Sequence, residues 1–242
     1  MNKRTRIILS VCLTVLLVFG IGGYAHVSNY YQADETALEA MAYQTDSVQA
    51  EQDGNVIWFV PEDPTAGLIL YPGGKVEYTA YAPLLRACAE NGILCALVRM
   101  PGNLAVLDAN AADGLQQEHP EITTWYIAGH SLGGAMAAGY AAAHEKDYGG
   151  LILLAAYSTK NLTDTPLRVL SVYGSEDGVM NRESYEKNRA NLPADTTEVV
   201  LDGGCHSQFG SYSPQDGDGI PTISGEEQVR QTAEAIAAFV GQ

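Results

Sequence analysis

Apolar runs of strand length alternate with amphipathic segments from about residue 56 to residue 242. Each run is apolar throughout, so both of its faces should be buried, as they are in parallel sheets. In one of the segments between the runs, Tyr81, Leu85 and Cys88 recur at the spacing of a helical face. The pattern predicts an α/β fold in which helices cover both faces of a mostly parallel sheet.

The ends of the predicted strands are the places to look for chemistry, because ligand sites in such sheets lie beyond the carboxyl ends of the strands. Strands are expected at residues 56–60, 67–71, 93–98, 124–128, 151–155, 168–173 and 197–201. Helices are expected at residues 81–91, 104–117, 132–144 and 182–191, and after a capping-box pattern at 224–227.

Residues 1–27 have a different pattern. Three basic residues among the first six precede a stretch, 7–27, that contains no Asp, Glu, Lys or Arg. Such a stretch is long enough to cross a bilayer as a helix, with the basic cluster on the cytoplasmic side. The alternative is a secretory signal peptide cleaved near Ala25. We therefore expect residues 1–27 to be a signal anchor or a signal peptide. The rest of the chain is then expected to be extracytoplasmic, held by one membrane pass or secreted.

The segment that follows, residues 28–46, is polar, with one short helical possibility at 36–42. We expect it to be a juxtamembrane spacer and residues 47–242 to form the folded domain.

The charge balance is strongly acidic, with 13 Lys and Arg against 29 Asp and Glu. An acidic surface repels phosphate backbones, so a nucleic-acid partner is not expected.

Of the four cysteines, Cys12 lies in the apolar stretch. The other three are an odd number, so at least one of them should have a free thiol. Cys88 and Cys95 are expected to be buried and unpaired. No CxxC or metal-ligand spacing occurs, and residues 216–219 resemble a calcium loop but lack its later glutamate, so no cofactor or metal is expected.

A G-x-S-x-G pattern, made by Gly129, Ser131 and Gly133, follows one predicted strand and opens a helix. This is the position of a nucleophile elbow, in which a tight, strained turn projects the serine hydroxyl above the sheet. Side chains two residues away on either side would collide, which explains the glycines. The pattern predicts that Ser131 is a nucleophile; the alternative is a plain turn serine.

A serine nucleophile needs a base, and the best placed of the five histidines is His206, which follows the last predicted strand. His130 adjoins the serine, but neighbours on a tight turn diverge. The carboxylate that orients the base is expected to be Asp177, after strand 168–173, with Glu176 and Asp202 as alternatives. The order serine, aspartate, histidine is typical of one hydrolase fold.

The oxyanion of an acyl-transfer reaction needs two N–H donors. One should be the amide of Leu132, directly after the nucleophile, and the other that of Gly74 or Lys75 in Y-P-G-G-K-V. Arg99, Lys75 and Gln208 are candidate substrate contacts, although each could equally be a surface residue.

Two connecting segments bear on access to the site. Residues 156–167 are too few for a helical lid, so an open site is expected. Residues 207–223 form a long stretch without predicted structure, and long loops in compact domains tend to be functional. We interpret this stretch as an active-site wall that positions His206.

From about residue 56 to residue 242 the chain resembles compact α/β-hydrolases of the dienelactone-hydrolase and small-carboxylesterase branch. The resemblance is carried by Y-P-G-G-K-V, G-H-S-L-G-G, Y-G-S-E-D-G and the segment around His206. It implies a Ser-Asp-His hydrolase. Dienelactone hydrolases proper use a cysteine nucleophile where this sequence has Ser131, so their lactone substrate is not carried over.

The expected function is the cleavage of a small-molecule carboxylic ester through an acyl-enzyme, by Ser131, His206 and Asp177. An acyltransferase would use the same residues and differ only in its acceptor. A non-catalytic binding module on the cell surface would keep the fold without the chemistry.

Overall fold

Eight strands build one sheet in the described part of the chain, which in the computed structural model comprises residues 29–44 and 47–241. The strands are β1 (Val48–Asp53), β2 (Val56–Pro61), β3 (Ala66–Tyr71), β4 (Ile93–Val98), β5 (Trp125–His130), β6 (Gly150–Leu154), β7 (Arg168–Gly174) and β8 (Thr197–Leu201). Their spatial order is β1-β2-β4-β3-β5-β6-β7-β8. Strands β3 to β8 pair in parallel, whereas β2 pairs antiparallel with both β1 and β4. The prediction of a mostly parallel sheet is confirmed.

Helices cover both faces of this sheet. They are α1 (Glu35–Ala42), α2 (Ala82–Glu90), α3 (Leu115–Glu118), α4 (Leu132–Ala143), α5 (Arg182–Asn188) and α6 (Gly225–Val240). The buried side chains of α2 and α6 belong to one apolar cluster, and those of α3 and α4 belong to a second. The sheet separates the two clusters.

Strand β3 shows why the central strands are apolar throughout. Its side chains alternate between the clusters: Leu68 and Leu70 lie in the first, Ile69 and Tyr71 in the second. All four are fully buried. Because successive side chains of a strand point to opposite faces, a strand covered on both faces has no position for a polar residue.

The prediction of one helix at residues 104–117 is wrong. The structure has a short 3-10 turn at Ala105–Leu107 and a single α-turn, α3, separated by irregular backbone. Gly114, directly before α3, has φ +87°, a left-handed conformation that interrupts a helix. Val106 and Leu107 are more than half exposed, so the apolar pattern there does not mark a buried face.

The expected spacer at 28–46 is part of the folded domain from Tyr31 onward, so the domain begins earlier than residue 47. Tyr31 bridges to Val76 and Ala33 to Tyr212, each through backbone pairing. Helix α1 begins after Asp34, whose side chain accepts a hydrogen bond from the Ala37 N–H. Ala37 itself is fully buried. A segment with these contacts is stabilised by the domain.

No helix within residues 29–44 and 47–241 has the length and apolar character needed to cross a membrane. The stretch 7–27, expected to be an anchor or signal peptide, lies outside the described residues.

Three cysteines lie in the described part of the chain, Cys88, Cys95 and Cys205, and all three are buried and free. The expectation for Cys88 and Cys95 is confirmed. Burial raises the pKa of the Cys95 thiol well above its ordinary value.

Candidate active site

Ser131 lies at the turn between β5 and α4 with φ 51° and ψ −120°, a conformation that costs an L-residue about 1–3 kcal/mol. Its N–H donates to the Leu154 carbonyl at 2.9 Å, and its carbonyl accepts from the Ala135 N–H at 3.2 Å. The strand beside it and the helix after it therefore hold the strained residue. Its side chain does not cap α4. This is the strand–turn–helix geometry that a nucleophile elbow requires.

The flanking glycines are required for the steric reason that the sequence suggests. A Cβ added to Gly129 would lie 2.5 Å from the backbone of Gly133. A Cβ added to Gly133 would lie 2.2 Å from the carbonyl oxygen of Pro72, in the loop after β3. The start of α4 thus contacts that loop at a distance that leaves no room for a side chain.

Asp177 and His206 form a buried pair at the ends of β7 and β8. His206 Nδ1 lies 2.9 Å from Asp177 Oδ2, and the exposed fractions of the two side chains are 1% and 0%. Asp177 Oδ1 accepts from the N–H groups of Val179 at 2.9 Å and Met180 at 2.8 Å. Since a carboxylate only accepts, this network assigns the proton to Nδ1 and leaves Nε2 with its lone pair available.

The alternative carboxylates do not reach the histidine. Glu176 is exposed and its Oε1 accepts from the Ser175 hydroxyl at 3.0 Å. Asp202 is exposed as well. Two rejected histidines have contacts elsewhere: His119 pairs with Glu121, and His144 stacks on Tyr140.

The structure connects His206 to the residue directly before Ser131. The ring of His206 packs on the ring of His130, which directly precedes Ser131, with a centroid separation of 4.5 Å. His206 Nε2 is buried and has no hydrogen-bond partner among the described residues. The hydrogen bond from Ser131 Oγ to Nε2 is therefore not formed here. Such bonds are often long until a substrate tightens them.

The two candidate oxyanion donors lie side by side. Leu132 is the first residue of α4, so its N–H has no partner within the helix. A Cβ added to Gly74 would lie 2.8 Å from Leu132 Cδ2, which places the Gly74 backbone against that residue. The Lys75 amide is not a candidate, because it donates to the Asn103 carbonyl at 2.8 Å. Of the two expected donors in this loop, Gly74 remains.

Sequence analysis missed a buried network behind the serine. The Gly73 N–H donates to the Tyr81 hydroxyl at 3.0 Å, and that hydroxyl lies 2.8 Å from His130 Nδ1. Burial, and secondarily the electrostatic effect of the neighbouring His206 ring, lowers the pKa of His130 well below its ordinary value. The neutral ring accepts at Nδ1 and connects the loop after β3 to the ring of His206. Tyr81 and His130 lie 49 residues apart, so no local pattern joins them.

The loop after β8 contacts the loop after β7 through Asp218, which sequence analysis did not single out. Asp218 Oδ1 accepts from the N–H of His206 at 3.1 Å, and Oδ2 accepts from the N–H of Ser207 at 2.8 Å. The Gly178 N–H also donates to Oδ1, at 3.3 Å. The expected wall at 207–223 is thus ordered and hydrogen-bonded to the segment that carries His206.

The structure gives the surroundings of two candidate substrate contacts, Arg99 and Gln208. Arg99 is exposed, with its guanidinium 6.0 Å from the ring centroid of Tyr78. Gln208 lines a cavity of about 690 Å³ between the loop after β8 and the start of α1, whose lining does not include Ser131, Leu132 or His206. Within the described residues, no group of three or more His, Cys, Asp or Glu side chains is arranged to hold a metal.

The segment between β6 and β7 is the place where a helical lid over the site would lie. Residues 155–167 contain no helix, as the short spacing predicts.

Residues 67–230 match a profile described as the alpha/beta hydrolase family. No curated protein matches the sequence significantly. The structure is similar to that of a membrane phospholipase A described as a bacterial virulence factor, at 14% identity and a TM-score of 0.60, with 98% of each chain covered. It is also similar to a predicted CIB-like hydrolase from Thermoplasma acidophilum, at 15% identity and a TM-score of 0.59, covering 79% of this chain and 99% of the other.

At such identities a structural likeness shows the fold alone, whereas the profile spans more than half of the chain. The superfamily resemblance is confirmed, while the branch and the serine nucleophile stay predictions. This chain belongs to the alpha/beta hydrolase family and is a hydrolase.

Proposed function

We propose that the protein is a serine hydrolase that cleaves carboxylic esters through an acyl-enzyme. The observation that carries the proposal is the buried Asp177–His206 pair. Its Nε2 has no partner among the described residues, and its ring packs on His130, the residue before the strained Ser131. A nucleophile, a base and an orienting carboxylate from three loops at one edge of the sheet are the parts that acyl transfer needs. The phospholipase name of one structural neighbour is consistent with an ester substrate.

In the first half of the reaction, Ser131 Oγ attacks the acyl carbon while His206 Nε2 takes its proton. Asp177 holds the Nδ1–H tautomer and stabilises the imidazolium that forms. The N–H groups of Leu132 and Gly74 donate to the oxyanion, and a lost donor of this kind typically costs about 10²–10³ in kcat. The intermediate collapses by breaking the ester C–O bond, and His206 returns the proton to the departing alcohol.

In the second half, water attacks the acyl-enzyme carbonyl and His206 takes its proton. Collapse of the second intermediate breaks the bond to Oγ, releases the acid and returns the proton to Ser131. Because residues 155–167 contain no helix, we expect small esters to reach the serine without displacement of a lid.

We further propose that the enzyme acts outside the cytoplasm, held by residues 1–27 as a signal anchor or secreted after their cleavage. Support comes from the uncharged stretch 7–27 and the basic residues before it.

A fluorophosphonate probe and a panel of p-nitrophenyl esters of increasing acyl length test the proposal. We expect the wild-type protein to be labelled and to hydrolyse the esters, and Ser131→Ala to lose both activities. Ser213→Ala, which changes an exposed serine in the loop after β8, is the matched control and should behave as wild type. Labelling that persists in Ser131→Ala would contradict the proposal, as would products formed only with an added alcohol or amine acceptor.

A further inference from the structure

Asp218 accepts hydrogen bonds from two loops at once. The loop after β7, residues 175–181, is called the β7 loop below and carries Asp177; the loop after β8, residues 202–224, is called the β8 loop and carries His206. Asp218 Oδ1 accepts from the N–H groups of Gly178 in the first loop and His206 in the second, at 3.3 and 3.1 Å. One carboxylate oxygen thus joins the residue after Asp177 to His206 itself.

The second carboxylate oxygen fixes the backbone just beyond the histidine. Asp218 Oδ2 accepts from the Ser207 N–H at 2.8 Å and from the Ser207 hydroxyl at 2.7 Å. The same hydroxyl oxygen accepts from the Gln215 N–H at 2.8 Å. Within the β8 loop, the carboxylate of residue 218 is therefore bound to residues 206 and 207, and it brings the two ends of the intervening segment together.

Close packing of glycines shows that the contact between the loops is tight. A Cβ added to Gly219 would lie 1.8 Å from the Glu176 carbonyl oxygen, and one added to Gly178 would lie 2.4 Å from the Gly217 carbonyl oxygen. The backbone on both sides of Asp218 therefore lies against the backbone on both sides of Asp177. Gly178 and Gly219 allow this approach because neither has a side chain.

The carboxylate is held in its ionised form. Burial acts to raise the pKa of Asp218, but the hydrogen bonds from Ser207, His206 and Gly178 outweigh it, so the pKa lies below its ordinary value. An ionised carboxylate accepts stronger hydrogen bonds from amides than a neutral group does.

We propose that Asp218 is a positioning residue of the triad, which sets the separation of Asp177 and His206 by binding the backbone beside both. The inference rests on the proposed function for its kinetic consequence but not for the geometry. The 2.9 Å contact between Asp177 Oδ2 and His206 Nδ1 depends on the relative position of two separate loops. Asp218 accepts hydrogen bonds from both loops and does not contact the reacting atoms.

Loss of the hydrogen bonds that Asp218 accepts should lower kcat much more than it changes KM. A displacement of about 1 Å in a catalytic group costs about 10²-fold, so we expect kcat per active site to fall about 10- to 100-fold in Asp218→Ala. KM should change by less than about threefold, because Asp218 is not a substrate contact in this proposal. Asp218→Asn keeps one acceptor oxygen but presents an NH₂ group to the Ser207 N–H, so an intermediate loss is expected.

Two measurements separate positioning from folding. Titration of active sites with the fluorophosphonate probe gives kcat per competent molecule, so a smaller folded fraction alone does not lower it. Proton NMR of the Nδ1–H of His206, assigned by its loss in His206→Gln, reports the bond to Asp177 without any turnover. We expect this low-field signal to shift or broaden in Asp218→Ala and to be unchanged in the matched control Asp216→Asn, which alters an exposed aspartate of the same loop.

The outcomes are distinct. A signal unchanged in both Asp218 variants, with kcat per site within twofold of wild type, would overturn the proposal. If Asp218→Ala does not fold, Asp218→Asn decides by the same two measurements, and a wild-type signal in it would also overturn the proposal. If the wild-type protein neither reacts with the probe nor hydrolyses esters, the proposed function fails, while the NMR comparison still decides whether Asp218 positions the pair.

Discussion

His206 Nδ1 lies 2.9 Å from Asp177 Oδ2, and both side chains are shielded from solvent. The two residues lie 29 positions apart and come from the ends of neighbouring parallel strands. A pair this buried is not a surface ion pair, whose contribution is small and screened. The other imidazole nitrogen, Nε2, has no hydrogen-bond partner in the described part of the chain, and the His206 ring packs on His130, next to the strained Ser131.

Asp177→Asn should abolish most of the activity without unfolding the protein. The amide retains the size of the carboxylate but favours the wrong imidazole tautomer, and a loss of about 10⁴ in kcat is expected. Steady-state hydrolysis of a p-nitrophenyl ester measures the loss, and circular dichroism checks the fold. Glu176→Gln, at the exposed neighbouring position, is the matched control. Equal effects of the two variants would show that Asp177 is not the orienting carboxylate.

Gly74→Ala should lower kcat by at least about tenfold, toward the 10²–10³ typical of a lost oxyanion donor. The added methyl group would lie 2.8 Å from Leu132 Cδ2, so the Leu132 side chain or the loop that carries Gly74 must shift. The measurement is kcat, with ground-state binding followed by KM. Gly139→Ala is the control, because a Cβ at that position in α4 meets no atom within 4 Å. Wild-type kcat in Gly74→Ala would contradict the prediction.

Tyr81→Phe should destabilise the protein and lower kcat together. The change removes the hydroxyl shared by the Gly73 N–H and His130 Nδ1, and a buried polar group left without a partner costs about 1–3 kcal/mol. Urea unfolding measures the stability, and ester hydrolysis measures the effect on the loop that carries Gly74. Tyr78→Phe is the control, since the structure gives the Tyr78 hydroxyl no hydrogen bond within the described residues and its ring is kept. An unchanged unfolding free energy in Tyr81→Phe would contradict the prediction.

The contribution of Asp218 to the free energy of unfolding should be lost at acidic pH and retained at neutral pH. Its pKa in the folded protein lies below the ordinary value of 3.8, so its contribution is fully present above about that pH and is lost as the pH falls through the lower folded value. Cys205 and Tyr212 face it from the same loop, and burial raises the pKa of both, so neither changes charge in this range.

Thermal unfolding of the wild type and Asp218→Asn from pH 7 to pH 3 measures this dependence. The difference in Tm should be constant near neutral pH and should narrow in the most acidic samples. A difference that stays constant to pH 3, or grows as the pH falls, would contradict the assignment of an ionised Asp218.

The N-terminal segment shows that a stretch without a strand-like apolar run can still pack on the domain. Residues 28–46 contain no apolar run longer than four residues, and this absence favours a spacer. In the structure, the Tyr31 N–H donates to the Lys75 carbonyl and the Asp34 N–H donates to the Ser211 carbonyl. These bonds belong to the backbone, which every residue type carries. The segment therefore contacts the loops after β3 and β8 through backbone bonds that its side-chain pattern does not encode.

The sequence by itself determined the alternation of apolar strands with helices, the elbow at Ser131 and the chain order that singles out Asp177 and His206. These features are local: the periodicity of burial and the sterics of a tight turn act over a few residues. Only the tertiary structure decided that the Lys75 amide is bound to Asn103 while the Gly74 amide has no partner among the described residues. It alone also decided that Tyr81 binds His130 and that Asp218 joins the two loops. Each of these contacts joins residues far apart in the chain, and their positions depend on how the loops pack at the edge of the sheet, which no local pattern encodes.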